Sequence, residues 1–225
     1  MGYSGKHDDN KMMKYVRGEI VIKLENSWDP IWEKIFLEKE WGKYPEIPLV
    51  RFMARNYYNK DRKNIKVLVL GSGCGKDVWY LAREGFDAYA IEGSLEGVRK
   101  TNDRLKRNKL KATVEVGDIN MINYPDDFFD VVVDLATIQH NPWVNIRDIV
   151  GESKRVLKED GKFFGLMVKE DSSLENNNFG YVHFFTKEEI EDLFKGAKIE
   201  YLDYYDDGRK HVSWIVEWIN DKRNN

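Results

Sequence analysis

The chain lacks several features that would place it in a specialised class of protein. Cys74 is the one cysteine among 225 residues, so no disulfide can form within the chain, and we expect a reducing, cytoplasmic location. Apolar runs such as 67–70 and 163–168 are far shorter than the roughly 20 residues of a membrane-spanning helix, so we expect no membrane partner. Residues 1–6 show neither the apolar core of a secretory signal nor a myristoylation motif.

An excess of charge of one sign is also missing. The 36 Lys and Arg residues nearly balance the 39 Asp and Glu residues, which gives a net charge of −3, whereas nucleic-acid-binding domains usually concentrate basic charge. Basic residues do gather between Arg99 and Lys111, but they alternate with an apolar stripe, as on the solvated face of a helix. We therefore interpret these basic residues as a solvated helix face rather than as an RNA-binding surface, and we expect no nucleic-acid partner.

The residues that are present indicate one globular domain. Apolar residues make up 42% and charged residues 33% of the chain, and no repeat or Pro/Gly/Ser-rich linker divides it. We expect a single domain over 1–225, made of a helical extension (1–60) and a core (61–220). Within the extension, 20–22 is a strand or a loop, and Ser27 or Asp29 caps a helix whose first turn holds Pro30.

Strands and helices alternate from residue 65 onward. This pattern predicts an α/β fold with a Rossmann-like, doubly wound, mostly parallel seven-stranded sheet and an antiparallel C-terminal edge hairpin. Such a sheet binds ligands at the carboxyl ends of its strands. The predicted strands are 65–70, 86–91, 112–116, 129–135, 162–168, 199–204 and 211–219.

A glycine-rich loop follows the first of these strands, in the sequence Gly71-Ser72-Gly73-Cys74-Gly75. A Walker A loop is excluded because Leu70 stands where its first glycine would be and Asp77 replaces its hydroxyl residue. A dinucleotide fingerprint is incomplete because Lys76 occupies its third glycine position. We prefer a loop that holds a ligand without phosphate to one that merely turns the chain tightly.

Acidic residues follow the next two strands. Glu92 comes directly after 86–91, where a carboxylate can accept both ribose hydroxyls of a nucleoside or else cap the next helix. Asp118 follows 112–116 and can accept from an adenine amino group beside the apolar Ile119. The three strand ends together predict a nucleoside site.

These motifs resemble the class I S-adenosylmethionine-dependent methyltransferases over about residues 60–220. The resemblance implies S-adenosylmethionine as cofactor, a small-molecule acceptor, and a monomer or homodimer whose extension lies over the substrate side. Val69 departs from the family, which usually has an acidic residue there. The implied cofactor-binding residues are Gly71, Ser72, Gly73, Gly75, Asp77, Glu92, Gly93, Asp118, Ile119 and Leu135.

The extension weakly resembles small-molecule members of surface-glycan biosynthesis, so the acceptor is expected to be polar, such as a sugar or a glycan precursor. One alternative is a methyltransferase of RNA or protein, although 134–137 lacks the Asn/Asp-Pro-Pro-aromatic motif of many RNA-modifying members. Another is a non-catalytic nucleoside-binding protein of the same fold. No metal is expected, because Lys169 at the end of strand five would repel a divalent cation.

Two histidines are candidate proton acceptors. His140 follows strand four, where it either serves as a general base or bonds to the backbone ahead of Pro142. His183 is the second catalytic candidate, with packing between aromatic neighbours as its alternative. The predicted acceptor-binding residues are Trp41, Tyr44, Phe179 and Tyr181, whereas Trp28 and Trp32 are assigned to the core. Residues 170–182 are expected to form a lid.

Overall fold

The computed structural model describes residues 11–16, 19–24, 28–172, 180–206 and 212–221. The strands are β1 (Lys11–Val16), β2 (Glu19–Leu24), β3 (Lys66–Leu70), β4 (Asp87–Glu92), β5 (Thr113–Val116), β6 (Phe129–Leu135), β7 (Leu157–Val168), β8 (Lys198–Asp206) and β9 (Val212–Ile219). The helices are α1 (Ile31–Glu38), α2 (Ile47–Tyr57), α3 (Lys76–Arg83), α4 (Leu95–Arg107), α5 (Trp143–Val156) and α6 (Lys187–Leu193).

The main sheet has seven strands in the order β5-β4-β3-β6-β7-β9-β8. Strands β3 to β7 are parallel, and β9 runs antiparallel to both β7 and β8. The predicted Rossmann-like sheet with an antiparallel edge is therefore confirmed. Strand β3 pairs with β4 on one side and with β6 on the other. The strand order reverses at this position, and open α/β sheets bind their ligands in the crevice that such a reversal creates.

Helices cover both faces of the sheet, because each central strand points alternate residues to opposite sides. Val131 and Val133 of β6 pack with α2, α3 and α4, whereas Val132 packs with α5 and α6. The last helix begins with a capping box, in which the Thr186 hydroxyl accepts from the backbone of Glu189 and the Glu189 carboxylate accepts from the backbone of Thr186.

The extension differs from the sequence expectation at its start. Strands β1 and β2 pair antiparallel, although only 20–22 was expected to form a strand or a loop, because the segment before it is polar and charge-dense. The helix expected near Pro30 is α1, whose N-cap residue is Pro30 itself. The side chain of Asp29 still stabilises the helix start, because its Oδ1 accepts the backbone N–H of Ile31 at 2.9 Å; Ser27, the other expected cap, lies outside the described residues. No helix within the described ranges is long and apolar enough to cross a membrane.

Helix α1 is fastened to the N-terminus of α4. The Glu33 carboxylate accepts the backbone N–H of Glu96 at 3.1 Å and the hydroxyl of Ser94. The Lys100 ammonium donates to the carbonyl oxygens of Phe36 and Lys39. A carboxylate at a helix N-terminus is favourable for the helix dipole, so these contacts hold α1 beside the carboxyl ends of β3 and β4.

Candidate functional site

A cavity of about 410 Å³ opens at the carboxyl ends of the parallel strands. It lies at the strand-order reversal, and α1 forms part of its wall. Most of the predicted site residues line it together: Trp41, Gly71, Ser72, Gly73, Asp77, Glu92, Gly93, Ile119, Leu135 and His140. A volume of this size lies in the range of small-molecule binding pockets.

The glycine loop has the tight, left-handed conformation that its sequence predicts. Gly71, Gly73 and Gly75 have φ angles of 62°, 53° and 77°, a region that residues with a side chain rarely enter. A Cβ on Gly71 would lie 2.3 Å from Thr137 Cγ2, and one on Gly75 would lie 2.6 Å from Thr101 Cγ2. Conformation and space therefore both require glycine at these two positions.

Glu92 connects the end of β4 to the glycine loop. Its Oε2 accepts the backbone N–H of Gly73 at 2.7 Å, and its Oε1 accepts that of Ser94 at 2.9 Å. Burial raises the pKa of this carboxyl, and the backbone hydrogen bonds oppose the rise. Each carboxylate oxygen has a further lone pair that a ligand hydroxyl can use.

A cluster of charged side chains lies at the start of α3. The Lys76 ammonium bonds to Glu46 Oε1 and lies 3.8 Å from Asp77 Oδ2, while Asp77 Oδ1 accepts the backbone N–H of Glu46 at 3.2 Å. Burial raises the pKa of Asp77 to about 6, against the lowering effect of Lys76. All three residues line the cavity.

His140 has a defined tautomer. Its Nδ1 lies 3.0 Å from the carbonyl oxygen of Tyr181, and because a carbonyl can only accept, Nδ1 carries the proton and the neutral ring keeps a lone pair on Nε2. The ring packs edge-on against Trp32, with 4.7 Å between ring centroids. Burial lowers the pKa of His140, whereas Tyr181 and the Asp29 carboxylate oppose this. The neutral, proton-accepting form is therefore favoured.

Asp134, at the end of β6, is fully buried. Its Oδ1 accepts the backbone N–H groups of Thr137 and Ile138 at 3.0 Å each, and its Oδ2 has no partner among the described residues. Burial raises the pKa of this carboxyl to about 7. Asp134 therefore caps the short turn that carries His140.

We expect the buried Asp134 to make stability depend on pH. Its folded-state pKa of about 7 lies above the unfolded value of 3.8, so the unfolded chain releases this proton first and the free energy of unfolding falls by a few kcal/mol as pH rises between these values. Asp134→Asn, which mimics the neutral acid, should flatten this slope. Urea unfolding of both proteins from about pH 5 to about pH 8 measures the difference, and parallel pH profiles would contradict the assignment.

Several predicted site residues do not line the cavity. Asp118 bonds to the backbone N–H of Asn120 at 2.8 Å, although its neighbours Gly117 and Ile119 do line the cavity. His183 lies 3.3 Å from Glu189 Oε2 and packs against Trp143, which matches its packing alternative. Gly75 and the 79% exposed Tyr44 are also outside the lining. Tyr181 is outside it too, although its carbonyl group bonds to His140. Phe179 lies outside the described residues.

Other cavity residues were missed from the sequence. Trp28 and Trp32, assigned there to the core, line the cavity instead, because α1 is held over the glycine loop. Asp29 was expected only as a helix cap, and it is also part of the wall. The strand-end residues Tyr205 and Ser213 carried no sequence signal that pointed to the site.

The basic residues of α4 are used within the fold. Arg99 bonds to Glu96 and Asp103, and Arg104 is buried and donates to the carbonyl oxygen of Gly42 at 2.8 Å. The exposed Arg99 fits the expected solvated face, whereas the buried Arg104 departs from it because it ties α4 to the segment before α2; both arginines are paired within the chain, which argues against an RNA footprint. Among the described residues, no group of three or more His, Cys, Asp or Glu side chains is arranged to hold a metal ion.

Comparisons with known proteins give a consistent result. Residues 67–161 match the family model of a methyltransferase domain. The chain is 31% identical over 136 residues to an uncharacterised protein of Methanocaldococcus jannaschii (60% of this chain, 56% of that protein). It is 31% identical over 107 residues to the ubiquinone biosynthesis O-methyltransferase of Pelagibacter ubique (47% and 43%). The chain thus spans about half the length of these curated relatives.

Solved structures share the fold. A SAM-dependent methyltransferase of Methanosarcina mazei superposes with a TM-score of 0.66 at 18% identity, over 78% of this chain and 98% of that one. At this level of identity the likeness establishes the fold alone.

Proposed function

We propose that the chain is a class I S-adenosylmethionine-dependent methyltransferase, which transfers the methyl group of S-adenosylmethionine to a small acceptor molecule; the match of residues 67–161 to a methyltransferase domain supports this. The observation that carries the proposal is the cavity at the strand-order reversal, where the glycine loop, Glu92 and His140 meet. A folded protein that only binds nucleosides would have no need of a histidine held as a proton acceptor.

The residues of the cavity fit this cofactor. Glu46, Lys76 and Asp77 provide both signs of charge for its zwitterionic amino-acid end. Glu92 provides carboxylate oxygens for the ribose hydroxyls, and the buried Ile119 provides apolar surface for the base.

When bound, S-adenosylmethionine supplies a methyl group on a sulfonium that needs only a nucleophile aligned with it. The protein residues then have two tasks. Helix α1 and the Trp32 ring exclude water and orient the acceptor, since proximity and orientation can supply roughly 7–11 kcal/mol of a barrier. His140 Nε2 accepts the proton that the acceptor releases, while Nδ1 stays bonded to the Tyr181 carbonyl group.

The cavity volume of about 410 Å³, with residues of α1 and Val182 in the wall, supports a small-molecule acceptor. A sugar or glycan precursor stays a prediction from the sequence. The three tryptophans in the wall support a ring-bearing acceptor, since sugar and aromatic rings both pack on indole. A macromolecular acceptor would need an open platform beside His140.

We expect calorimetry to detect binding of both S-adenosylmethionine and S-adenosylhomocysteine. Glu92→Ala should weaken both by roughly ten- to a hundredfold, because it removes charge-assisted bonds to the ribose hydroxyls. Glu92 also holds the Gly73 backbone, so circular dichroism must show that the variant folds. Preferential binding of NAD or ATP, with no binding of S-adenosylhomocysteine, would contradict the proposed function.

A further inference from the structure

The wall of the cavity carries an excess of negative charge. Four of the described lining residues have carboxyl groups, namely Asp29, Glu46, Asp77 and Glu92, and one has an ammonium group, Lys76. No arginine is found among the described residues of the wall. The Lys76 ammonium is already engaged by Glu46 and Asp77, so it does not offer an unopposed positive charge to an anionic acceptor.

Asp29 is the carboxylate of this group that lies at the acceptor end. Its Oδ2 lies against the backbone of Gly180, where a Cβ would come within 2.8 Å. The next residue, Tyr181, holds His140 through its carbonyl group, and the Asp29 charge acts on the His140 ring. Asp29 and the proposed base therefore share one end of the cavity.

Aromatic and apolar side chains surround this end. The Trp32 ring lies 4.7 Å from the His140 ring and 5.9 Å from the Trp41 ring, edge-on to both. Leu166, Val168 and Val182 provide apolar surface, and Tyr205 and Ser213 provide hydroxyl groups. A carboxylate next to indole rings in a half-buried site attracts cations by charge and by the ring quadrupole together.

We propose that the acceptor carries an ammonium group, which Asp29 and Trp32 recognise, and that phosphorylated or carboxylated acceptors are rejected. This inference rests on the proposed function and names its substrate class. An amino sugar or an arylalkylamine meets the requirement, whereas a sugar phosphate or a nucleotide-linked glycan precursor does not. An anion at this end would face Asp29 without a basic partner from the described wall.

Matched probes test the preference on protein saturated with S-adenosylhomocysteine, which has no sulfonium charge to repel an amine. Tyramine, tyrosol and 4-hydroxyphenylacetate share one ring and differ in carrying an ammonium, a hydroxyl or a carboxylate group. We expect calorimetry to show tyramine binding at least about tenfold more tightly than 4-hydroxyphenylacetate, with tyrosol between them.

Asp29→Asn is the decisive variant, because asparagine also caps helices and so keeps the bond to Ile31. It should weaken tyramine binding about tenfold and leave tyrosol binding unchanged. Glu38→Gln is the matched control: it removes one negative charge from the exposed end of the same helix, where Glu38 pairs with Lys34, and it should change neither affinity.

Three results would overturn the inference: equal or tighter binding of the carboxylate, a preference that survives in Asp29→Asn, or no binding of any probe at millimolar concentration. Each leaves the proposed function intact if S-adenosylhomocysteine binds. If S-adenosylhomocysteine does not bind, the proposed function is wrong, and the same titrations on the protein alone decide whether Asp29 selects cations.

Discussion

Replacement of His140 by asparagine is expected to lower turnover by roughly 10²–10⁴-fold, the usual effect of losing a general base. Asparagine is the sharpest substitution, because its side-chain amide can still donate to the Tyr181 carbonyl group while the proton-accepting Nε2 is lost. Cofactor affinity should stay within about twofold, since the loss falls on the proton-transfer step. Turnover with the acceptor of the wild-type protein and calorimetry with S-adenosylhomocysteine measure the two effects.

His183→Gln is the matched control for this prediction. His183 bonds to Glu189 and packs against Trp143 outside the cavity wall, so its loss should lower the free energy of unfolding by about 1 kcal/mol and leave turnover nearly unchanged. Near-full turnover in His140→Asn would show that the base lies elsewhere or that the acceptor is already a neutral amine. Unfolding of that variant would favour the structural role of His140.

The pH profile gives an independent reading of the same residue. Burial lowers the pKa of His140, so the neutral base persists to lower pH than for an ordinary histidine. The acidic limb of kcat/KM should therefore lie below the usual histidine pKa of about 6.5, and His140→Asn should abolish it.

The part of the cavity that we propose for the cofactor has lining residues that were predictable from the sequence, because their signals are local. The glycine loop, Glu92 and Ile119 each follow a strand that the hydrophobic pattern identifies, and parallel strands bring their carboxyl ends to one edge. Asp118 also follows its strand as expected, and its Oδ1 accepts the backbone N–H of Asn120 in the next turn; its role toward the base of the cofactor stays a prediction.

The acceptor half was not predictable, because it depends on contacts between distant segments. Trp28 and Trp32 reach the cavity because Glu33 binds the N-terminus of α4 more than sixty residues away. Tyr205 and Ser213 enter the wall only because β9 inserts between β7 and β8. A single sequence contains no local pattern for either arrangement.

Gly71→Ala is expected to destabilise the protein by roughly 2–5 kcal/mol and to abolish cofactor binding. Alanine would have two unfavourable effects. It would have to adopt a φ of 62°, which strains a residue with a side chain, and its Cβ would lie 2.3 Å from Thr137 Cγ2 and 2.4 Å from Thr137 Oγ1. Thr137 cannot move away freely, because its hydroxyl donates to the Leu70 carbonyl and its backbone N–H donates to Asp134. Relaxation would therefore disturb the glycine loop and the His140 turn together.

Two further variants separate backbone strain from collision. Gly85→Ala imposes a φ of 87° with no atom within 4 Å of the new Cβ, so it should cost only the strain, about 1–2 kcal/mol. Gly71→Ala combined with Thr137→Ser removes the Cγ2 contact and should recover part of the stability and of the affinity for S-adenosylhomocysteine. If Gly71→Ala cost no more than Gly85→Ala, Thr137 would be free to move away, and the glycine loop would not depend on the turn after β6 for its shape.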